Sequence, residues 1–531
     1  MLRLSKIGVS VTFFEFLRNS IHGMFCFVVK GGAVLKRLAV VAFCVAYLCG
    51  NAMAQDAKTV IANTQKALGD VKSITYSGSA KDVAFQQCGA NSTAMNCLGT
   101  HDPMRPINNY VRVIDLTTPT SRQMGDTNNI GAGGSTTVTP GTFSQQVTAQ
   151  QADVSQPWAG SLDFYITPWG FLKGAAENSA TASRRKAEGK DYTVLTWSPK
   201  VKAPSGKDYV INGYVDEKNM VDRVETWLGE NIMGDMHILA TYTGWKDFGG
   251  VTAPSKIVQT RGGWPFFEVT VTAAKANPPD LATLAVPPAP AGGRGGGGGA
   301  PPAGGGGAPA LMVTTEKLGD GLYRLTTGNG SYDSVIVEFK DYIMMLEAGQ
   351  SEARGLAYIA ETKKLFPNKP IRYVMNTHPH SDHTGGLPPL VAEGATIITQ
   401  KNNEAFLEKA LNTPRTLLND TLAKNPKKAK IEAVAEKKVY SDGTRTVEMY
   451  HVSPVPHSNG LMIAYIPKEK ILFQGDFSVT PGQPANDHVK ALVPILEKLN
   501  LNFDRYINVH APAAPQTKAD VWKAVGKQAG N

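Results

Sequence analysis

The chain has 531 residues, 42% hydrophobic and 19% charged, a composition ordinary for a soluble globular protein and too long for a single core. Its formal charge of +9 overstates its basicity, because six basic residues and one acid fall in the first 54 and leave +4 for the remainder. That excess is too small to argue for a nucleic-acid partner.

The chain opens on an export pattern. Lys36-Arg37 forms a basic n-region, Leu38 to Leu48 an apolar h-region, and Ala52-Met53-Ala54 a cleavage site before Gln55. An uncleaved anchor is the competing reading, for which the run is short. No twin-arginine pair precedes it, and Cys49 lacks the small residues that lipoprotein processing needs, so the general secretory route is expected. Residues 1–33 form an apolar preface containing Met24, consistent with an over-extended start. Cys26, Cys44 and Cys49 belong to this leader (residues 1–54), which leaves Cys88 and Cys97. In an exported protein these two most simply form a local disulfide, two free thiols being the alternative.

Residues 55–285 predict a mainly antiparallel β (α+β) accessory domain. Val60, Ile61, Ala67 and Leu68 recur at helical spacing over Ala57 to Leu68. The Thr-, Gly-, Gln- and Ser-rich segment to Gln156 predicts short strands and a mobile loop over 130–141. From Tyr192 onward, strands are expected at 193–197, 209–215, 221–227, 237–242, 255–259 and 266–273, separated by turns such as Gly249-Gly250 and Gly262-Gly263. Regular short strands suggest a meander or half-barrel. A helix leading into a curved sheet resembles periplasmic lipoprotein carriers, which implies a face for a lipid-like group; shielding or positioning the enzyme is the plainer role. His101 and His237 have no partners in sequence and read as bystanders.

Residues 286–310 are almost entirely Gly, Pro and Ala, with Arg294 the one charge. Such a tract behaves as a linker with a reach on the order of 25–30 Å, so the flanking domains can touch but need not.

Residues 311–531 alternate strands and helices, an α/β pattern. Strands are expected at 311–316, 322–326, 334–339, 342–346, 371–375 and 395–399. A helix over 351–366 should bury Ala353, Leu356, Ile359, Ala360 and Leu365. Another is expected near 402–411 and a last one over 488–499, with the lysine-rich 424–438 a solvated helix and turn.

The most informative stretch is Thr377-His378-Pro379-His380-Ser381-Asp382-His383-Thr384-Gly385-Gly386, a turn between a buried strand and a helix, where α/β sheets place their chemistry. Three imidazoles and a carboxylate within six residues are metal-ligand types at very short range. His378 and His380, two apart, can share one ion, while Asp382 and His383 diverge toward a second. His457, Asp476 and His510 each follow at the edge of a strand, giving seven candidate metal ligands. His451 lies inside a strand as a core or supporting group, and His488 opens a helix as a cap neighbour.

The pattern HxHxDH, then a histidine, a Gly-Asp and a strand-terminal histidine resembles the metallo-β-lactamase superfamily of hydrolases over residues 311–531. The resemblance implies an αββα sandwich. It also implies one metal on His378, His380 and His457, a second on Asp382, His383 and His510, and Asp476 as bridge. Two Zn²⁺ are the default, with Fe or Mn possible on the same ligands. A bridging hydroxide would attack the substrate, with Asp382 orienting it and carrying a proton to the leaving group. No G-x-S-x-G elbow points to a serine hydrolase. Asp476 stands where true metallo-β-lactamases carry cysteine or serine, which favours the glyoxalase, lactonase and other esterase-like branches. Glu347-Ala348-Gly349 replaces the usual Asp-containing turn, and Ala511 follows His510 where many members have glycine.

The expectation is therefore a periplasmic or secreted dinuclear hydrolase that cleaves an ester, lactone, thioester or similar bond. Its substrate would be a small, hydrophobic molecule, with no nucleic acid and with membrane contact only through the signal peptide. An iron-dependent oxidoreductase on the same fold, or a periplasmic lipid- or ligand-binding protein with structural metals, are the alternatives.

Overall fold

A computed structural model describes residues 56–69, 71–83, 104–130, 138–148, 157–281, 311–327, 332–480, 482–510 and 514–527. The leader, Cys88, Cys97, His101, the Gly/Pro/Ala tract and Ala511 lie outside the described residues.

The helix Ala57–Leu68 starts at Asp56, whose carboxylate accepts the amide of Lys58, and it buries Val60, Ile61, Thr64 and Leu68. It leads into an eleven-stranded sheet whose pairs are all antiparallel. The first strand, Ser73–Asp82, pairs on one side with Arg105–Asp115 and on the other with the last strand, Trp264–Ala276. The chain steps outward through Arg105–Asp115 and Thr120–Ile130 to an edge at Val138–Thr148. Two helices, Pro157–Tyr165 and Pro168–Glu177, then precede the opposite edge, Thr181–Ala187. Five further strands, from Lys190–Trp197 to Thr252–Arg261, walk back to Trp264–Ala276.

Two expectations are corrected here. The polar segment before residue 157 forms three strands of 11 residues each rather than short ones, and strand structure reaches Ile130 and resumes at Val138. Its inner face mixes the core residues Ile107, Tyr110 and Ile114 with buried polar groups, Tyr110 Oη donating to Gln123 at 2.6 Å and Arg112 Nε to Ser121 Oγ at 3.0 Å, which interrupts the apolar alternation that marks a strand. The helix Pro168–Glu177 carries no amphipathic period in its sequence because it is buried nearly all round, through Pro168, Trp169, Gly170, Phe171, Leu172, Gly174 and Ala175.

The C-terminal region is two sheets face to face. The seven-stranded sheet runs from Val313–Gly319 through Leu322–Thr327, Tyr332–Glu338, Ile343–Leu346, Ile371–Met375 and Thr396–Gln400 to Lys430–Val434. It becomes parallel from Ile343–Leu346 onward. The five-stranded sheet runs from Lys437–Ser441 through Thr446–His451, Met462–Ile466 and Ile471–Gln474 to Arg505–Asn508, its last pair parallel. Strand alternation sorts side chains between layers. Val335, Val337, Met344, Leu346, Met375 and Ile398 meet Met449, Ala464, Phe473 and Ile507 between the sheets. Their neighbours Ile336, Met345, Val374 and Ile397 face outward, into the layer of Tyr358, Ile359, Leu390 and Leu407. On the far side, Ile463, Leu472 and Tyr506 pack under Val489, Leu492 and Val493 of Asp487–Leu499 and Trp522 of Lys518–Ala524. This is the expected αββα arrangement, burying both faces of both sheets.

Two local expectations fail. The helix Glu352–Leu365 buries Gly355, Tyr358, Ile359 and Thr362, while Leu356 is 40% exposed. Its seat is set by Gly355, where a Cβ would lie 2.7 Å from the Gly386 carbonyl, so the helix turns about a third of the way round from the aliphatic stripe. Residues 424–438, expected as solvated helix and turn, contain the strands Lys430–Val434 and the start of Lys437–Ser441. Both are sheet edges, where lysines blunt further strand pairing.

Asp56–Asn531 is a single unit in which one apolar cluster links the N-terminal sheet to the sandwich through Ile232, Met233, Phe406, Leu411 and Leu417. Trp264 meets Phe406 edge-on at 5.5 Å, and Lys409 Nζ sits 4.1 Å over the same indole while donating to Gly262 O.

Candidate metal centre

The seven candidate ligands come from both sheets and gather where their parallel strands end. Ile371–Met375 delivers Thr377–His380 and the single helical turn Ser381–Thr384. His457 lies between the strands Thr446–His451 and Met462–Ile466, Asp476 follows Ile471–Gln474, and His510 follows Arg505–Asn508. The sheets are tied here by Met462 N donating to Thr377 O at 2.8 Å. Asn376, fully buried, donates its amide to both His378 O (2.8 Å) and His383 O (3.1 Å) and fixes the curl of the histidine loop.

The donors fall into two groups, His378, His380, His457 and Asp476, and Asp382, His383 and His510, with the donor atoms in each within 4.8 Å of one another. His378 Nε2 and His457 Nε2 are 3.0 Å apart, and His383 Nε2 and His510 Nε2 are 3.1 Å apart. Two nitrogens on one tetrahedral ion at about 2.0–2.1 Å each sit roughly 3.3 Å apart, so these spacings suit a shared cation. Asp476 stands between the groups. Its Oδ2 lies 2.9 Å from His457 Nε2, and its Oδ1 lies 2.9 Å from His383 Nε2 and 3.1 Å from His510 Nε2. Oδ1 is buried and, despite that proximity, makes no well-directed hydrogen bond. A crowded, converging donor set of this kind fits metal ions.

The titration behaviour agrees. Burial, then the neighbouring imidazoles, pushes His378 and His380 well below the ordinary imidazole range, which leaves them neutral as ligands must be. Burial also opposes charge on His510 and His383, but Asp476 and Asp382 outweigh it and hold His510 at about 9 and His383 well above its usual value. In the metal-free protein both therefore carry a proton at pH 7.5. Metal binding at that pH should release protons, and the release should shrink as pH rises through about 9 and His510 becomes neutral beforehand. Calorimetry in buffers of different ionisation enthalpy reads that count directly.

Residues 327–530 match the family model of the metallo-beta-lactamase superfamily. The sandwich is a metallo-beta-lactamase superfamily domain. It is similar to a metallo-beta-lactamase from Pontibacter korlensis, at 17% identity and a TM-score of 0.30 over 40% of this chain and 95% of that one. It is also similar to DIM-1 metallo-beta-lactamase (16%, 0.32, 41% and 97%) and to a metallo beta lactamase from Hirschia baltica (21%, 0.30, 40% and 95%). The family match does not reach the N-terminal sheet, and the comparisons do not confirm that sheet's resemblance to lipoprotein carriers.

Within the superfamily domain, Glu347 takes the supporting role left open by the missing aspartate turn. Fully buried, its Oε2 accepts from Thr377 Oγ1 at 2.5 Å and lies 3.2 Å from His383 Nδ1. Thr377 Oγ1, its proton given to Glu347, accepts from His378 Nδ1 at 3.1 Å. As neutral ligands both rings would keep their proton on Nδ1 and present Nε2 to the centre. Glu347 does this at φ +74°, a conformation costing about 1–3 kcal/mol that the surrounding bonds sustain. Neutralising it with Glu347→Gln should weaken metal binding by about 10- to 100-fold without unfolding the protein, as read by competition with a chromophoric chelator. The Gly-Asp motif has a steric basis here too, since a Cβ on Gly475 would lie 3.0 Å from Thr377 Oγ1 and 3.3 Å from His378 Nδ1.

Three residues near the centre were not read as such in the sequence. Tyr332 Oη donates to Asp382 Oδ2 at 3.3 Å, its ring packs 4.8 Å from that of His510, and the Arg354 guanidinium covers it at 4.5 Å. Burial, then Asp382 and Asp476, raises its hydroxyl far above the usual phenol range, so it stays a donor. His488, expected as a cap neighbour, is 4% exposed with its ring 4.6 Å from that of His457. Burial, then the neighbouring His457 imidazole, lowers it to about 4. Asn486 is the true cap, accepting from Val489 N. The third is Asn231, described below. His451 supports the His457 loop through Nε2 and Asn459 O at 2.8 Å, while His237 pairs with Glu225 in the N-terminal sheet, outside both donor groups.

Proposed function

We propose that this protein is an exported dinuclear metallohydrolase that cleaves an ester, lactone, thioester or similar bond in a small, hydrophobic substrate. The observation that carries the reading is Asp476, one oxygen turned to each of two adjoining donor groups. Imidazole and carboxylate donors suit zinc, and a metal held there supplies a water acidic enough to act as hydroxide near neutral pH.

The chain's own residues do the rest. His378, His380 and His383 are essentially inaccessible, whereas the side chains of Asp382 and His510 are 20% and 28% exposed, so substrate approaches from the Asp382–His510 side. Asp382 is held ionised: burial opposes this, but the adjacent His383 and the bond from His510 outweigh it. Tyr332 Oη donates to its Oδ2, which also lies 3.3 Å from His510 Nε2, and the ionised carboxylate would orient the attacking water, take its proton and pass it to the leaving group. An aspartate at 476, rather than cysteine or serine, supports the esterase-like branches over penicillin hydrolysis. The leader's basic, apolar and A-x-A sequence supports export to the periplasm or beyond.

The test is elemental analysis of purified mature protein alongside a hydrolase panel that includes a chromogenic cephalosporin. Zinc near two equivalents and ester or lactone turnover, abolished by a chelator and restored by zinc, is the expected result. Turnover indifferent to chelation would sink the proposal, and bound iron with oxygen consumption would redirect it to oxidoreduction on the same fold.

A further inference from the structure

The turn carrying Asp382 and His383 is held from two sides. On the inside, a Cβ on Gly385 would lie 1.9 Å from Gln350 O and one on Gly386 1.9 Å from Ala348 O, so the turn lies flush on 348–350. Asn376 holds the carbonyl of His383 from within the sandwich. The carbonyl of Gly385, two residues beyond His383, is bonded across to the N-terminal sheet, where Asn231 Nδ2 donates to it at 2.8 Å.

Asn231 is no loose surface amide. It sits at the tip between the strands Val221–Glu230 and Gly234–Asp247, and that tip is braced internally by Glu230 Oε2, which accepts from Ile232 N at 2.8 Å and Met233 N at 2.7 Å. The sandwich grips the same tip through the loop after its helix Lys401–Asn412. Arg415 donates to Asn231 O at 2.5 Å and to Ile232 O at 3.4 Å, and is itself oriented by an ion pair with Asp420. Asp235 accepts from Thr416 N at 2.8 Å and Leu417 N at 2.9 Å, and its own amide donates to Pro414 O at 2.6 Å. Ile232 and Met233 are each 2% exposed beneath these bonds. Backbone, carboxylate and guanidinium contacts thus fix the tip before its one amide reaches the metal turn, the condition under which a single hydrogen bond can position a ligand.

We propose that Asn231 is a positioning residue of the metal centre, through which the N-terminal sheet holds the Gly385 carbonyl and so the turn bearing Asp382 and His383. The consequence for metal loading rests on the dinuclear reading above; the clamp itself does not. The bond is short-range and local, so its loss is felt by the Asp382, His383 and His510 group more than by the His378, His380 and His457 group.

The experiment uses the full mature chain with Asn231→Ala and Asn231→Asp, the latter matching the amide in shape but unable to donate. Lys409→Ala is the control, because it loosens the same interface at Gly262 and Trp264 without touching Gly385. In metal-free protein, amide hydrogen exchange over residues 381–386 should be about tenfold faster in both Asn231 variants and unchanged in Lys409→Ala. Titration with zinc should show the weaker of two steps loosened by about tenfold in the Asn231 variants and the tighter step less affected. Exchange and affinity within twofold of the unsubstituted protein would overturn the proposal. An equal change in Lys409→Ala would also overturn it, by assigning the effect to general docking. Faster exchange in the Asn231 variants of a protein that binds no zinc would uphold the clamp and defeat the metallohydrolase reading instead.

Discussion

Asp382→Ala is expected to lower hydrolytic turnover by roughly 10³-fold, in the range lost with a positioned acid–base group, while the far-ultraviolet spectrum and the cooperative unfolding transition persist. The side chain is partly exposed and lies against the polar tips of Tyr332 and His510, so little apolar packing is lost with it. The effect should lie mainly in kcat, because the proton it carries moves in the transition state. Tyr332→Phe is the companion test, leaving Asp382 in place and removing only the donor to its Oδ2. Turnover of Asp382→Ala within about tenfold of the unsubstituted enzyme, with metal content unchanged, would mean that another group handles the proton.

Asp476→Ala should do more, because one carboxylate faces both donor groups. His457, His383 and His510 all lie about 3 Å from its oxygens. Its removal should lower the metal stoichiometry as well as the rate, with turnover reduced by at least about 10⁴-fold when binding and proton transfer fail together. In the metal-free protein the loss also leaves protonated His383 and His510 short of their main counter-charge, and one-sided removal of such a pair costs about 3–5 kcal/mol. Metal-free Asp476→Ala should accordingly melt well below the metal-free unsubstituted protein near pH 7. The gap should narrow as pH rises through about 9, where His510 is neutral in either case. Full stoichiometry in Asp476→Ala, measured by elemental analysis, would remove Asp476 from the centre.

How much of this was legible depended on whether the signal was local. HxHxDH sets three imidazoles and a carboxylate within six residues, and His457, Asp476 and His510 follow at the edges of strands, so the gathering of these seven side chains into two groups was foreseeable. Apolar runs such as Ile343–Leu346, buried on both faces, and Ile371–Met375, buried except at Arg372 and Tyr373, read as strands. Arg105–Asp115 and Thr120–Ile130 did not, since buried Arg112, Gln123 and Ser121 interrupt the apolar alternation set by Ile107, Tyr110 and Ile114. Glu347 looked like a departure from the family turn until its carboxylate was seen under Thr377 and His383, 30 and 36 residues away. Tyr332, His488 and Asn231 have no spacing relation to the histidine motif at all. Only the folded chain brings them to it, so no pattern along the sequence marks them.

The closure of the large sheet has a consequence for how the molecule is made. Ile74 lies opposite Ala276, about two hundred residues later, and the interior strand it occupies gains its second neighbour only from the last strand of that sheet. Until residue 276 has emerged, Ser73–Asp82 presents an unpaired edge, and contacts so distant in sequence form slowly. The Asn231 tip belongs to the same sheet, between Val221–Glu230 and Gly234–Asp247. A nascent chain cut short within the N-terminal region should be an aggregation-prone species rather than a half-finished domain.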